Sequence, residues 1–365
     1  MAGGLVLAGP AAAQAPAIPV ELADGKILVP VMLNGQPVQA MLDSGAALYG
    51  LDTAAAERLG VKADGRRVTA RGVQHVLRGR FGEARSLVVG GIELGATPML
   101  VLDYGNLLQG AGRRIEAGLG GAFFHRFVVE LDLGDKTMRL HERAAFSPPP
   151  APAVLVPLTE SRGFMTAPVG VGERAFVQAV VDTGSDPPLI VSPQPAARLG
   201  LLGGDQPVST APLGGIGGVS IAKITSAPRV TLGGAAFQDV PVQVPPRGIG
   251  LEANLGLGLL SRFHLWLDFG GQRMWLAPRE TAPAFRRDLV GFYGVISGDA
   301  LKVTHVAPGG PAAAAGFHVG EMIASINGEV ASVANQTLKD TPAGVALTFG
   351  LADGKSRHLT LRRYY

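Results

Sequence analysis

The chain repeats itself. The apolar run Val38-Gln39-Ala40-Met41-Leu42 leads into Asp43-Ser44-Gly45, and 139 residues later Phe176-Val177-Gln178-Ala179-Val180-Val181 leads into Asp182-Thr183-Gly184. Each aspartate ends a strand-like segment and enters a turn with a hydroxyl residue and a glycine. The segments Leu51–Gly60 and Val191–Gly200 follow, each reading as a short helix with Asp52 or Ser192 at its N-cap and glycine just past its end. Later still, Glu116-Ala117-Gly118-Leu119-Gly120-Gly121 has its counterpart in Glu252-Ala253-Asn254-Leu255-Gly256-Leu257. Each copy closes with a strand pair, Phe127–Leu133 with Met138–Leu140 and Phe263–Phe269 with Met274–Leu276. Turn chemistry alone explains one Asp-Ser/Thr-Gly triplet. It does not explain two triplets in matched surroundings, so the first 280 residues are read as one unit built twice.

The rest of the composition narrows what that unit can be. Glycine (52) and proline (27) are frequent without a collagen-like period, which predicts many turns and short strands. Asn34-Gly35 between Lys26–Leu33 and Gln36–Leu42 predicts a tight hairpin, and Gly90-Gly91 and Gly233-Gly234 predict two more. Hydrophobic residues make up 47%, enough for a large core. The 32 basic and 29 acidic residues nearly balance, and no Lys/Arg run or basic-aromatic stripe suggests nucleic-acid binding. Cysteine is absent, which excludes a disulfide scaffold, a cysteine nucleophile and a thiolate metal site. The seven histidines are scattered without ligand spacing, so no metal or other cofactor is expected. Asp103, Asp132 and Asp268 read as turn or surface residues, and Trp266 and Trp275 as core.

Two such triplets imply two carboxylates at one site, and neighbouring carboxylates cannot both ionise easily. The pattern resembles the bilobal aspartic proteases, particularly the bacterial retropepsin-like group, over about residues 20–280. In that family each lobe carries an apolar strand ending in Asp-Thr/Ser-Gly and, later, an apolar-Gly element, here Leu119-Gly120 and Leu255-Gly256. The resemblance implies that Asp43 and Asp182 form one catalytic dyad hydrolysing a polypeptide substrate. Ser44 and Thr183 would then brace the two loops, and Gly45 and Gly184 would permit close backbone approach. Both triplets lie in one chain, so no dimer is required. Ser185 follows the second triplet where Ala46 follows the first. A hydrogen bond from Ser185 would favour an ionised Asp182 and leave the shared proton on Asp43. Two departures stand out. Asp186-Pro187-Pro188 would distort or lengthen the second turn, and the glycine-rich flap candidates, Gly72–Gly79 and Gly214–Gly218, lack tyrosine.

Beyond residue 288 the pattern changes. Val306-Ala307-Pro308-Gly309-Gly310-Pro311-Ala312, Ala315-Gly316 and Gly320-Glu321-Met322-Ile323 to Asn327-Gly328 resemble a PDZ domain of the bacterial type. The resemblance implies that Phe292-Tyr293-Gly294-Val295 is the loop that captures the C-terminus of a peptide, beside a groove helix near Val333–Asp340. Another reading of this module is a docking unit that binds no free peptide.

The expected fold is therefore all-β: two duplicated acid-protease lobes around a central cleft, then a small α+β PDZ domain. The boundaries are lobe one at 19–146, lobe two at 153–280 after a proline-rich linker, and the PDZ domain at 288–365. Residues 1–18 read either as the remnant of a signal peptide ending at Ala13-Gln14-Ala15, implying a periplasmic or secreted protein, or as a disordered tail. No apolar run is long enough to span a bilayer. The activity expected is an aspartic endopeptidase; the alternative is a catalytically inactive peptide-binding protein on the same fold.

Overall fold

The computed structural model describes residues 15–71, 76–104, 114–173, 175–215, 218–281, 284–338 and 340–365. The central residues of both flap candidates, 72–75 and 216–217, lie outside them, as does most of the N-terminal segment.

The hairpin of Lys26–Leu33 and Gln36–Leu42 forms about Asn34-Gly35, whose positive φ angles of 51° and 78° are those a tight two-residue turn needs. Its counterpart is Phe164–Val171 with Ala175–Val181. In both hairpins the second strand begins exposed and ends buried, because it runs from the rim of its sheet to the centre. Val38, Ala40 and Leu42 point into the main core. Met41 faces the other way, into a second cluster with Leu28, Leu100, Leu102 and Tyr104.

The Leu-Gly element explains the topology of each lobe. Ala117–Leu119 inserts parallel to Gln36–Leu42 and antiparallel to Gly50–Asp52. Ala253–Leu255 does the same between Ala175–Val181 and Leu189–Val191. The strand that ends in the aspartate is thus central in each sheet, and its last three residues are buried on both sides. In lobe two, Phe164–Val171 also pairs with Gly218–Leu232 and closes the sheet on itself.

The helices Thr53–Arg58 and Pro193–Arg198 stand where the repeat places them and stop at Gly60 and Gly200, both at positive φ. Their caps differ. Asp52 and Ser192 both hold the N-cap position, but only Asp52 caps through its side chain, accepting from Ala54 N; the Ser192 hydroxyl donates to Leu251 O at 2.6 Å instead.

A third sheet joins the lobes. Its order is Ile18–Pro19, Thr137–His141, Val128–Asp132, Phe263–Asp268, Arg273–Pro278 and Val154–Pro157. The central pair crosses the repeat, setting Glu130 opposite Trp266. Val129, Leu131, Leu265, Leu267, Met138 and Met274 are all fully buried in the core shared by both lobes. On the other face His141 and His264 bond Glu130 at 2.7 and 3.0 Å, tying one lobe to the other. Trp275 is buried as expected, whereas Trp266 is only half-buried and stacks on His264 at 4.0 Å. Asp268 departs from its sequence reading. It is fully buried and accepts from Arg143 Nε (2.7 Å), Arg273 Nε (2.9 Å) and Gly271 N. A buried carboxylate survives there because two guanidinium groups meet it.

The C-terminal module packs Phe292, Phe317 and Phe349 at the centre of its own core, with the helix Ala331–Leu338 against its sheet. The segment before it is anchored. The Phe285 ring lies against Phe237 with the Arg262 guanidinium 3.6 Å above it. The module itself docks on lobe two. Tyr364 and Tyr365 are buried with Ala211 and Ile224, and Ser209 Oγ donates to Pro308 O at 2.7 Å. Arg287 reaches Ser226 and the Asp239 carbonyl, and Arg363 makes a two-pronged bond to the Asp239 carboxylate. Among the described residues, no helix is long and apolar enough to cross a membrane.

Candidate functional site

Asp43 and Asp182 each stand one residue beyond a central strand, where the backbone turns out of the sheet. Asp43 N donates to Leu119 O and Asp182 N to Leu255 O, both at 3.0 Å. The inserted Leu-Gly segment therefore holds the start of each loop. Its glycine lets the loop's far side pass close by. A Cβ on Gly120 would sit 2.0 Å from Leu48 O, and one on Gly256 would sit 2.2 Å from Pro187 O. The strands after the loops begin at Gly50 and Leu189, so both loops have the same length, and Asp186-Pro187-Pro188 does not extend the second. Asp186 instead lies against Gly25 of lobe one, where a Cβ would come within 2.2 Å of its carboxylate.

The loops meet across the lobe boundary. Ser44 N donates to Thr183 Oγ1 and Thr183 N to Ser44 Oγ, both at 3.0 Å. Each hydroxyl then donates to the opposite strand: Ser44 Oγ to Val181 O at 2.7 Å and Thr183 Oγ1 to Leu42 O at 2.9 Å. All four groups are buried, so these bonds are made at full strength in a water-poor interface.

The bracing sets each carboxylate against the other loop's glycine. A Cβ on Gly45 would lie 2.2 Å from Asp182 Cγ, and one on Gly184 would lie 2.4 Å from Asp43 Oδ1. Glycine is needed here because the opposite lobe's carboxylate fills the space. Within each loop, Gly45 N donates to Asp43 Oδ1 (3.1 Å) and Gly184 N to Asp182 Oδ1 (2.8 Å).

The two carboxyl groups lie close enough for the charge of one to act on the other, and their environments differ. Burial, then the negative charge of Asp182, pushes the Asp43 carboxyl up to about 8, against a weaker opposing pull from Lys26. Asp182 has a second donor that the sequence reading missed: Asn254 Nδ2 reaches its Oδ2 at 2.5 Å. Ser185, expected to be that donor, is not. Among the described residues no hydrogen bond joins Ser185 Oγ to Asp182, and the residue serves through its carbonyl, which accepts Leu257 N at 2.7 Å. The signal for Asn254 lay in the repeat itself, where Ala253-Asn254-Leu255 stands opposite Ala117-Gly118-Leu119. Among the described residues, no group of three or more His, Cys, Asp or Glu side chains is placed to hold a metal ion.

The PDZ-type loop residues part company. Phe292 is a core residue, and Tyr293 turns toward Asp288, Tyr364 and Tyr365 in the docking interface. Gly294 sits at a bulge, where a Cβ would be 2.7 Å from the Leu301 side chain. Val295 and Ile296 are exposed on the outer strand Phe292–Ser297, whose only partner among the described strands is Ala300–Val306.

The family model described as aspartyl protease matches residues 29–123 and 167–259, one segment in each lobe with one triplet in each. This chain belongs to the aspartyl protease family. The PDZ domain model matches residues 282–341, so the protease lobes are followed by a PDZ module. No curated protein matches the chain. The two matched segments contain all the bracing groups, Asp43 to Gly45 and Asp182 to Gly184, together with Asn254.

Proposed function

We propose that this aspartyl protease is an active endopeptidase whose dyad is Asp43 and Asp182, and that its PDZ module captures peptide segments. The supporting observation is the reciprocal packing of the two carboxyl groups, each against the other loop's glycine, with the charge of Asp182 acting on Asp43. Two such groups share one proton. The neutral form rests on Asp43 and the charged form on Asp182, which accepts from both Gly184 N and Asn254 Nδ2.

The chemistry follows from that division. Asp182 takes a proton from a water held between the carboxyls, and the water oxygen attacks the scissile carbonyl carbon. Asp43 gives its proton to the carbonyl oxygen. The tetrahedral intermediate then collapses as a proton passes to the leaving amine and the C–N bond breaks. The outer edge of Phe292–Ser297, with Val295 and Ile296 exposed, suits addition of an extended peptide strand, and Val333 is exposed on the helix Ala331–Leu338.

Incubation of the full chain with a mixed peptide library from pH 4 to pH 8 tests the reading. Cleavage by the wild type should fall at least about a thousand-fold in both Asp43→Asn and Asp182→Asn, since each removes a proton-transfer partner. Cleavage that survives either substitution, or none by the wild type, rejects the dyad and leaves a peptide-binding protein on the same fold.

A further inference from the structure

The duplicated lobes are not equal at the dyad. Asn254 lies in the inserted strand Ala253–Leu255, paired to Val180 on one side and Ile190 on the other, and is buried. Its Nδ2 donates to Asp182 Oδ2 at 2.5 Å. The matching residue of lobe one is Gly118, paired to Met41 and Gly50. No side chain fits there, because a Cβ on Gly118 would lie 2.6 Å from the Tyr104 hydroxyl oxygen. One lobe therefore delivers a buried amide to its aspartate and the other delivers none.

Building on the dyad reading above, we infer that Asn254 is the positioning residue that breaks the symmetry of the dyad, holding Asp182 as the ionised base and leaving the shared proton on Asp43. The argument is one of donors and acceptors. An ionised carboxylate only accepts, and a protonated carboxyl must also donate. Asp182 meets two donors, Gly184 N and Asn254 Nδ2, and the neighbouring Asp43. Asp43 meets Gly45 N and Asp182. If the amide were turned over, its oxygen would face an oxygen of Asp182 unless Asp182 carried the proton. The amide orientation and the proton position are thus one fact. The other amide atom, Oδ1, is buried without a hydrogen-bond partner, a cost that the bond to Asp182 offsets because it is charge-assisted.

The other charged and titratable groups nearby do not supply the same bias. Lys26 acts on Asp43 and favours its ionisation, opposing the arrangement. Tyr104 and Asp52 lie on the Asp43 side. Asp186 faces Gly25, and Glu252 is engaged by Gln178 N and Arg198.

The test replaces Asn254 by Ala and, to keep its volume, by Leu. The pH dependence of kcat/KM is measured with a fluorogenic peptide, and the dyad is titrated in parallel by NMR of 13C-labelled aspartate carboxyl groups. Both variants should raise the lower dyad pKa by about one unit, a tenfold change in proton affinity, with kcat falling more than KM rises. An unchanged lower pKa in either folded variant overturns the proposal. A wild type that cleaves nothing overturns the protease reading instead, and the NMR titration still decides the role of Asn254.

Discussion

Ser44 and Thr183 lie 139 residues apart and exchange equal hydrogen bonds, each backbone N–H donating to the other's hydroxyl oxygen at 3.0 Å. This exchange converts a sequence repeat into a single site. It ties the two loops to each other across the lobe boundary, next to the two aspartates.

Removing one hydroxyl strands two buried partners. In Ser44→Ala the Thr183 N–H and the Val181 carbonyl both lose a bond, as do Ser44 N and the Leu42 carbonyl in Thr183→Val. Each variant should lose about 2–4 kcal/mol in urea unfolding, and the double variant less than the sum, because the residues share one network. Additive losses would show that the exchange is not a unit.

The glycines make a sharper prediction about activity. In Gly45→Ala the new methyl overlaps the Asp182 carboxyl group, and in Gly184→Ala it overlaps that of Asp43. Pushing one carboxylate off its partner by even an ångström should cost kcat about a hundredfold or more, with little change in the secondary structure seen by circular dichroism. A Gly45→Ala enzyme with wild-type kcat would contradict the packing described.

Stability should respond to pH with opposite signs from two places. The Asp43 pKa is raised in the fold, to about 8, so its contribution is fully present below the unfolded carboxylate pKa and is lost as pH rises through about 8. Burial pushes Asp268 and Glu130 upward as well. The bonds from Arg143 and Arg273 to the first, and from His141 and His264 to the second, outweigh it and hold both below the usual range. Their contributions are present above the unfolded pKa and are lost as pH falls through the lower folded values. Urea unfolding of Asp43→Asn should therefore gain on the wild type between pH 5 and pH 8, by up to about 1.4 kcal/mol per pH unit. Parallel curves over that range would show that Asp43 is not protonated in the fold.

Much of this was open to reading from the chain. The triplets, the Leu-Gly elements and the PDZ pattern are local and repeated, and their roles follow from strand ends and tight turns. What stayed hidden depends on which strands meet. Nothing around Asp268 announces that Arg143, 125 residues away, will neutralise it in the sheet between the lobes. Ser185 adjoins the triplet, but its loop turns its carbonyl, not its hydroxyl, to structural use. Asn254 is distant in sequence from Asp182 and adjacent only because its strand inserts beside Val180. Tyr364 and Tyr365 belong to no motif in the sequence, and they are buried against lobe two.

That docking predicts a coupling. Arg363 and Asp239 face each other across the module boundary, and Arg287 supports them from beneath. A double-mutant cycle with Arg363→Ala and Asp239→Ala should give about 1 kcal/mol of interaction, in keeping with a partly exposed bidentate pair. Replacing Tyr364 and Tyr365 by serine should increase hydrogen exchange in the strand Ser209–Gly215, which the two rings help to cover. Unchanged exchange there would mean that the module and lobe two do not rest on each other.

The pH dependence of kcat/KM for peptide cleavage tests the central claim most directly, because one chain should hold one proton between two aspartates. The account predicts a bell whose upper limb falls near pH 8, set by deprotonation of Asp43, and no measurable bell in Asp43→Asn because cleavage is lost. A rate that stays level or climbs from pH 8 to pH 10, or a bell that persists in Asp43→Asn, would contradict it.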